Sequence, residues 1–428
     1  MKDDDGRPES DGPSPRRVSR RAAVIAAAAA LAGCLLAELG LTAAGPDAPA
    51  RTTVSATPTA VPDGRAVAAV LANRTRAVRE RDRTAFMATV ATAPAAYRDA
   101  QGRLFDNLLR LPLASWSETL DRLEPGSAVA RVRLSYRLRG FDDAPVVRTR
   151  YLTFAPRAGS WTIVGDGSAR GLADDGDIFD GGALTVVRGD HTLVVGDGPR
   201  LREIARRLDA AVPVVSGVVG TGGDGAGRGR RRTVALVPAD ARLASALAGP
   251  SQDLDRIAAV ATVAPTAEGP GADRVVVSPA AFARLNELGR DVVLTHELTH
   301  VATGGARDGR TPLWLIEGLA DYVGYLRADV SVRSAARELR ADVAAGRLPD
   351  GLPGRADFDG SSPRLSQSYQ EAWLACRMIA ERYGEATLVR LYRAAGRMPE
   401  DTALRETLGV DRDRLTALWR DYLREELG

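Results

Sequence analysis

The pattern of apolar and polar positions divides the chain into an apolar N-terminal run, a linker and two folded parts. The run covers 22–44, where Glu38 is the one interruption. The stretch 45–64 that follows is rich in Pro, Thr and Ala and has few large apolar residues. This composition is typical of a linker rather than of a packed domain.

The first folded part, 65–166, combines a helical pattern with strand patterns. Apolar residues recur at helical spacing over 66–90, a long helical pattern. Apolar and polar residues then roughly alternate in three segments, 130–140, 146–157 and 159–167. A helix followed by such strands predicts an α+β domain with its helices on one face of a curved antiparallel sheet.

The second folded part, 192–428, predicts a mixed sheet followed by a helical lobe. Strands are expected at 192–196, 233–238 and 273–279, with a helix at 199–215. The chain from 280 to 427 has a mostly helical pattern. The fold class expected for the whole chain is therefore α+β.

The connector between the two parts, 167–191, is acidic. Four aspartates lie close together in its segment DDGDIFDGG, namely Asp174, Asp175, Asp177 and Asp180. Their spacing differs from that of an EF-hand loop, so a solvated connector is favoured over a calcium site.

The N-terminal run predicts attachment to a membrane. At 1.5 Å per residue, 22–44 can cross a hydrocarbon core of about 30 Å. Arginines end the preceding segment 1–21, so the positive-inside rule places this tail in the cytoplasm and the folded parts outside it. Three interpretations stay open: an uncleaved transmembrane anchor, a lipoprotein acylated at Cys34, or a cleaved export signal that includes Ser19-Arg20-Arg21.

The charge and the cysteine content argue against a nucleic-acid-binding protein and against a disulfide-rich one. The 58 basic residues nearly balance the 55 acidic ones, which gives no argument for a nucleic-acid partner. The two cysteines, Cys34 and Cys376, cannot form a disulfide framework. The chain has only three histidines, so a histidine cluster is informative.

Two of these histidines lie four residues apart, in His296-Glu297-Leu298-Thr299-His300. Residues at this spacing lie on one face of a helix, so both imidazoles can bind one zinc ion. Glu297 lies about 100° around the same helix and can accept a proton from water near the ion. The pattern therefore predicts a catalytic zinc site with Glu297 as general base.

A second helix pattern after Pro312 adds two carboxylates. Glu317 and Asp321 are again four residues apart and lie on one helix face. A glutamate in this position can be the third zinc ligand, which leaves one position of the tetrahedron open for water. An aspartate one turn later can accept the second N–H of a liganding histidine.

These two motifs, HELTH and WLIEGLAD, resemble those of the gluzincin metallopeptidases, especially the peptidase MA-like proteins of actinobacteria. The resemblance implies that His296, His300 and Glu317 bind one Zn²⁺ ion. It implies that Glu297 is the general base and Asp321 orients His296. It also implies that Tyr369, in SQSYQEAWL, stabilises the oxyanion. The chain lacks the aminopeptidase motif GAMEN, which argues against an exopeptidase of that type.

The order of elements in 65–166 resembles the NTF2-like (SnoaL-like) cone fold.

The expected activity is hydrolysis of a peptide or protein substrate at the outer face of the cell membrane. The alternative is a zinc-binding surface module with little or no activity, which acts through interactions. A further alternative is that the segment after 166 is autoinhibitory or is cleaved by the enzyme itself.

Overall fold

The computed structural model describes residues 61–220, 232–249, 254–267, 271–304 and 309–428. The tail 1–21, the apolar run 22–44 with Cys34, and the linker as far as residue 60 lie outside these ranges. Within the ranges, no helix combines the length and the apolar character that crossing a membrane requires.

The first part consists of three helices followed by four strands. The helices are α1 (Gly64–Glu80), α2 (Arg83–Ala88) and α3 (Ala95–Arg110). The strands are β1 (Leu113–Leu123), β2 (Val129–Leu138), β3 (Val146–Arg157) and β4 (Ser160–Asp166). The strands form an antiparallel meander in the order β1-β2-β3-β4, with Val129 of β2 opposite Thr153 of β3. Apolar residues of α1 and of the sheet form one buried cluster, which includes Val67, Leu71, Phe154 and Ile163.

The helical pattern expected over 66–90 forms two helices, because the chain turns between α1 and α2. Arg81 adopts a left-handed conformation with φ 60°, and its N–H contacts the carbonyls of Ala77 and Val78. The Asp82 side chain then accepts the N–H of Ala85 and begins α2. The polar residues at 79–83 are the sequence feature that indicates this break between the helices. Helix α3 and strand β1 were not expected.

The second part is built on a five-stranded mixed sheet. Its strands are β5 (Thr185–Arg188), β6 (Thr192–Gly196), β7 (Thr233–Val237), β8 (Ala259–Ala264) and β9 (Ala272–Val277). Their order is β5-β6-β7-β9-β8; β6, β7 and β9 are parallel, and β5 and β8 are antiparallel edges. Helix α4 (Leu201–Val219) connects β6 to β7, and α5 (Ala241–Ala248) follows β7. The three expected strands are confirmed, whereas β5, within the connector, and β8 were not expected.

The helical lobe expected after 280 is confirmed. Its helices are α6 (Pro279–Arg284), α7 (Glu287–Thr303), α8 (Leu313–Tyr325), α9 (Val332–Ala335), α10 (Arg337–Ala344), α11 (Leu365–Tyr383), α12 (Glu385–Ala395), α13 (Glu400–Leu408) and α14 (Arg412–Leu427). Helix α7 packs against α4 and the sheet on one side and α8 on the other, and α8 packs in turn on α11. The described chain is thus a mixed α+β protein.

The connector is packed rather than solvated, so that expectation is wrong. The carboxylate of Asp177 is 1% exposed, lies 2.7 Å from Nε of Arg148 and accepts a hydrogen bond from Tyr136 at 2.9 Å. Asp180 lies 2.6 Å from a guanidinium nitrogen of Arg150. These arginines are on β3, so the aspartates bind the connector to the first sheet. The sequence pattern did not predict these ion pairs, because the aspartates and the arginines are distant along the chain.

The two parts are joined by backbone and side-chain contacts. The N–H of Val147, in β3, donates to the carbonyl of Pro265, just after β8, at 2.8 Å. Arg274 of β9 lies 2.8 Å from Asp142, which precedes β3, and both side chains are at most 2% exposed. One continuous apolar cluster also includes residues of both parts. The first part is therefore anchored to the edge of the second sheet.

Candidate metal centre

Helix α7 is capped at both ends and holds the motif histidines in the interior. The Asn286 side chain accepts the N–H of Gly289 at 2.7 Å at its N-terminus, and Gly304 ends it with φ 83°. Leu294, Leu298 and Val301 are buried, as their positions on the helix predicted.

His296 and His300 are 0% and 3% exposed, on the side of α7 that meets α8. Buried imidazoles at this spacing are held in a fixed relative position by the helix backbone, which favours a structural or metal-binding role over a surface one.

Helix α8 brings two carboxylates to these imidazoles. It begins after Pro312, as expected, and Trp314 and Leu315 anchor its first turn in the core. Glu317 is 0% exposed and Asp321 is 7% exposed. Two fully or nearly buried acids next to two buried histidines form a set that could hold a metal ion.

The candidate ligand atoms converge on one point. The Nε2 atoms of His296 and His300 are 2.9 Å apart, and Oε2 of Glu317 lies 3.3 Å from the first and 3.5 Å from the second. Two ligands at zinc distances of about 2.0–2.1 Å in a tetrahedron are about 3.3 Å apart. The three observed separations therefore lie within about half an ångström of those of a tetrahedral zinc site.

The Glu317 carboxylate gives a second test of this fit. Neither of its oxygens has a hydrogen-bond partner among the described residues, although both are buried. Its Oε2 has the two imidazole nitrogens at 3.3 and 3.5 Å as close neighbours, and a bound cation would compensate the buried carboxylate more fully than they do. The described residues thus contain a buried His296, His300 and Glu317 group that could hold a metal ion.

Asp321 contacts the opposite side of His296. Its Oδ1 lies 2.7 Å from Nδ1 of the imidazole. Since a carboxylate only accepts hydrogen bonds, Nδ1 carries a proton, which leaves Nε2, on the side of Glu317, as the nitrogen that can bind a metal ion. His300 has no equivalent carboxylate, because its Nδ1 is buried without a hydrogen-bond partner in the described ranges.

Glu297 is held beside the ligand group by the edge strand. The backbone N–H of Ala261, in β8, donates to its Oε2 at 2.6 Å. Its other oxygen, Oε1, is buried and makes no hydrogen bond to any described residue. One carboxylate oxygen is therefore fixed while the other stays available to a molecule that enters the site. No sequence pattern indicates this role of Ala261, because its backbone N–H, and not its side chain, makes the contact with Glu297.

Tyr369 forms the α11 side of the site. Its ring centroid lies 6.4 Å from that of His296, and the side chain is 5% exposed. Phe358 packs edge-on against it at 5.3 Å. The five predicted site residues of α7 and α8 and Tyr369 thus lie together, whereas Cys34 lies outside the described residues.

The electrostatics of the metal-free site follow from burial and proximity. Burial raises the pKa of Glu297 to about 8, although the nearby His296 opposes the shift. Burial also acts to raise the pKa of Glu317, but the two imidazoles outweigh it and hold the pKa at about 2. For His296, burial disfavours the charged form, yet the Asp321 carboxylate raises its pKa. Glu317 is therefore anionic and suited to a cation, whereas Glu297 has the higher proton affinity.

No protein-family model matches the chain, and a search of curated proteins finds no match either. The case for a function therefore rests on the chemistry of this site.

Proposed function

We propose that the chain is a zinc-dependent metallopeptidase of gluzincin type that hydrolyses peptide bonds. The observation that carries the proposal is the buried convergence of His296, His300 and Glu317 beside a glutamate with one unpartnered oxygen. A purely structural cluster needs no such oxygen, whereas a hydrolase needs a base next to its metal.

The proposal gives each residue of the site a role. A zinc ion in this ligand set supplies a Lewis acid, which polarises a carbonyl and lowers the pKa of water. Oε1 of Glu297 takes the proton of the attacking water, while the Ala261 amide keeps Oε2 in place. Glu297 then gives this proton to the leaving amine. The Tyr369 hydroxyl donates to the oxyanion that develops at the former carbonyl.

Strand β8 supports a peptide as substrate. It is an edge strand, paired with β9 on one side. The first part bridges the chain directly after it, at 265–267, so among the described residues the edge of 259–264 itself has no strand partner on its other side. Its Ala261 N–H reaches Glu297, so the strand runs directly beside the proposed base. An extended peptide can pair with such an edge through main-chain hydrogen bonds and present a peptide bond to the site.

The test compares the full-length protein with its Glu297→Gln variant in zinc content and cleavage of a broad peptide library. We expect one zinc per chain in both, with cleavage only in the wild type, because the amide cannot accept the proton. Tyr369→Phe, measured in parallel, should retain zinc and cleave about 100-fold more slowly.

Other outcomes separate the alternatives. Equal cleavage by wild type and Glu297→Gln contradicts the general-base role. Zinc in both without cleavage in either supports the inactive zinc-binding surface module. Absence of zinc from the wild type contradicts the metal centre itself.

We further propose that the segment 22–44 tethers the protein to the membrane with its folded parts outside the cytoplasm, and that 65–166 is an NTF2-like domain. The arginines before the apolar run support the orientation. The helix-then-meander order of the first part supports the domain assignment. Intact-mass measurement of the membrane fraction distinguishes an unprocessed chain from one acylated at Cys34 or cleaved, and full recovery in the soluble cytoplasmic fraction contradicts the tether.

A further inference from the structure

Alternate residues of β8 direct their main-chain groups to the outer edge of the sheet. Just before this strand, the N–H of Ser278 donates to the carbonyl of Ala258 at 2.9 Å, so the even-numbered residues bond toward β9. The odd-numbered residues then face outward. Ala261 follows this rule, because its N–H donates to Oε2 of Glu297 at 2.6 Å. The outer edge of β8 therefore passes directly beside the proposed general base.

The first part occupies the continuation of this edge. The start of β3 lies antiparallel to the segment 265–267, which follows β8. The N–H of Val147 donates to the carbonyl of Pro265 at 2.8 Å. The N–H of Ala267 donates to the carbonyl of Pro145 at 3.3 Å. The outward groups of these two odd-numbered residues are thus already bonded, and we call the segment 145–147 the end wall.

The end wall is fixed to the sheet. Arg274, which is opposite Thr262 in the pairing of β8 with β9, lies 2.8 Å from Asp142, three residues before the end wall begins. Both side chains are at most 2% exposed. Because separating a buried ion pair is costly, the end wall stays in place while a peptide binds.

The edge between the proposed base and the end wall is short. From Ala261 to Pro265 the chain advances four residues, about 13 Å in a strand. Val263 is the one residue between them whose position in the alternation directs both main-chain groups outward, and it is 38% exposed. A peptide strand in this space has about three residues, opposite 262–264. A substrate can therefore extend only about two or three residues from Glu297 toward the end wall.

The direction of the peptide decides which side of the cleaved bond is limited. Antiparallel pairing is slightly more stable per residue than parallel pairing, and the end wall itself pairs in this way. A peptide antiparallel to β8 has its N-terminal residues toward the end wall. The residues that follow the cleaved bond extend toward Ala259, where the end wall sets no limit.

We propose that the enzyme cleaves close to the N-terminus of its substrates and releases N-terminal fragments of about two or three residues, because the end wall blocks a longer segment. The proposal rests on the proposed peptidase function and gives the first part a role in substrate selection. Hydrolysis adds one water across the peptide bond. The short fragment leaves with a new carboxylate, and the remaining chain keeps a new amine.

The first test needs no turnover. The zinc-loaded full-length Glu297→Gln protein is mixed with random octapeptides that carry benzoylphenylalanine as the first or the last residue, and is then irradiated. We expect the label at the first residue to cross-link to the end wall or to 265–267, which mass spectrometry of the digested protein locates. The label at the last residue is the control and should not cross-link there.

The second test measures cleavage by the wild-type protein. A peptide that it cleaves is extended by four alanines at the N-terminus or, as a matched control, at the C-terminus. The N-terminal extension should lower kcat/KM at the original bond at least about tenfold, because the longer segment must bend away and lose its hydrogen bonds to Val263. The C-terminal extension should change it less than about threefold.

A pair of variants tests the pairing with Val263. Val263→Pro removes the outward N–H, and a proline is tolerated at such an edge position. In the zinc-loaded Glu297→Gln protein it should weaken binding of the same peptide about tenfold with unchanged zinc content. Val263→Ala keeps the N–H and should change binding less than about threefold.

The outcomes separate this proposal from the peptidase function. N-terminal fragments of many lengths, or an N-terminal extension without effect, would overturn the proposal and keep the peptidase. Release of short C-terminal fragments would overturn the antiparallel direction and with it the proposal. Cross-linking of the first residue to the end wall, in a protein whose wild type cleaves no peptide, would support the binding mode and contradict the peptidase. Neither cross-linking nor cleavage would contradict both.

Discussion

The Asp321 carboxylate lies 2.7 Å from Nδ1 of His296 and determines which ring nitrogen faces the candidate metal centre. Removing it by Asp321→Ala frees the imidazole to rotate and to change its tautomer. We expect zinc affinity to fall about 10–100-fold, and less in Asp321→Asn, which retains an acceptor oxygen. Competition with a fluorescent chelator measures this, and identical zinc affinities in all three proteins would contradict the orienting role.

Glu371 predicts how stability depends on pH. Its folded-state pKa of about 7 lies above the ordinary value of 4.5 because burial outweighs the attraction of Arg364. The folded protein therefore holds this proton more tightly than the unfolded chain. The resulting stabilisation is complete below about pH 4.5 and is lost as pH rises through about 7, by at most about 3 kcal/mol.

The measurement compares wild type with Glu371→Gln, which cannot titrate. The melting temperature of the wild type should fall relative to that of the variant between pH 5 and about pH 8, since both proteins share every other ionisable group. A difference in melting temperature that stays constant over this range would show that Glu371 titrates normally in the folded protein.

At the scale of elements, the close packing of α8 on α11 positions Glu317. A Cβ atom on Gly318 would lie 2.3 Å from the carbonyl oxygen of Ala372 and 2.7 Å from Sγ of Cys376. Gly318→Ala therefore forces the helices apart next to the third ligand. We expect a loss of about 1–3 kcal/mol in stability and a clearly weaker zinc affinity.

Gly217 offers a matched control, because it is an exposed helical glycine in α4 and a Cβ there would meet no atom within 4 Å. Gly217→Ala should be neutral or stabilise the protein by up to about 1 kcal/mol, with unchanged zinc affinity. Thermal unfolding and zinc titration of both variants check this pair. Tight zinc binding by a stable Gly318→Ala protein would mean that the helices tolerate the separation.

At the scale of the whole molecule, the buried pair of Asp142 and Arg274 couples the first part to the second sheet. Asp142→Asn keeps an acceptor for the Leu138 N–H but removes the carboxylate that pairs with the Arg274 guanidinium in the interior. We expect a loss of about 3 kcal/mol. Because Arg274 lies on β9, zinc should also be released at a lower temperature on heating.

The control for this prediction is Asp106→Asn, since Asp106 pairs with Arg83 at 3.0 Å in the same part but both side chains are about half exposed. That change should alter stability by less than about 1 kcal/mol. Zinc release at the wild-type temperature in Asp142→Asn would indicate that the two parts unfold independently.

Elements with a strong local pattern were predictable from the sequence. The apolar strands β6, β7 and β9 and the helices α7 and α8 fall where the pattern placed them, because helical and strand periodicity are properties of neighbouring residues. Strand β1 and the edge strands β5 and β8 have weaker patterns and became strands through their pairing partners. The turn at Arg81 was not predicted, because the apolar periodicity of a helix continues across it and outweighs the local pattern of polar capping residues.

What the sequence by itself determined is the pairwise chemistry within each helix. His296 and His300, like Glu317 and Asp321, share a face because residues four apart do so in any α-helix. Only the tertiary structure decided that these two faces meet, since their separation depends on the packing of α8 between α7 and α11. The same holds for the contact of the Ala261 amide with Glu297. Contacts between residues distant in sequence arise from the packing of whole elements, and local periodicity carries no information about them.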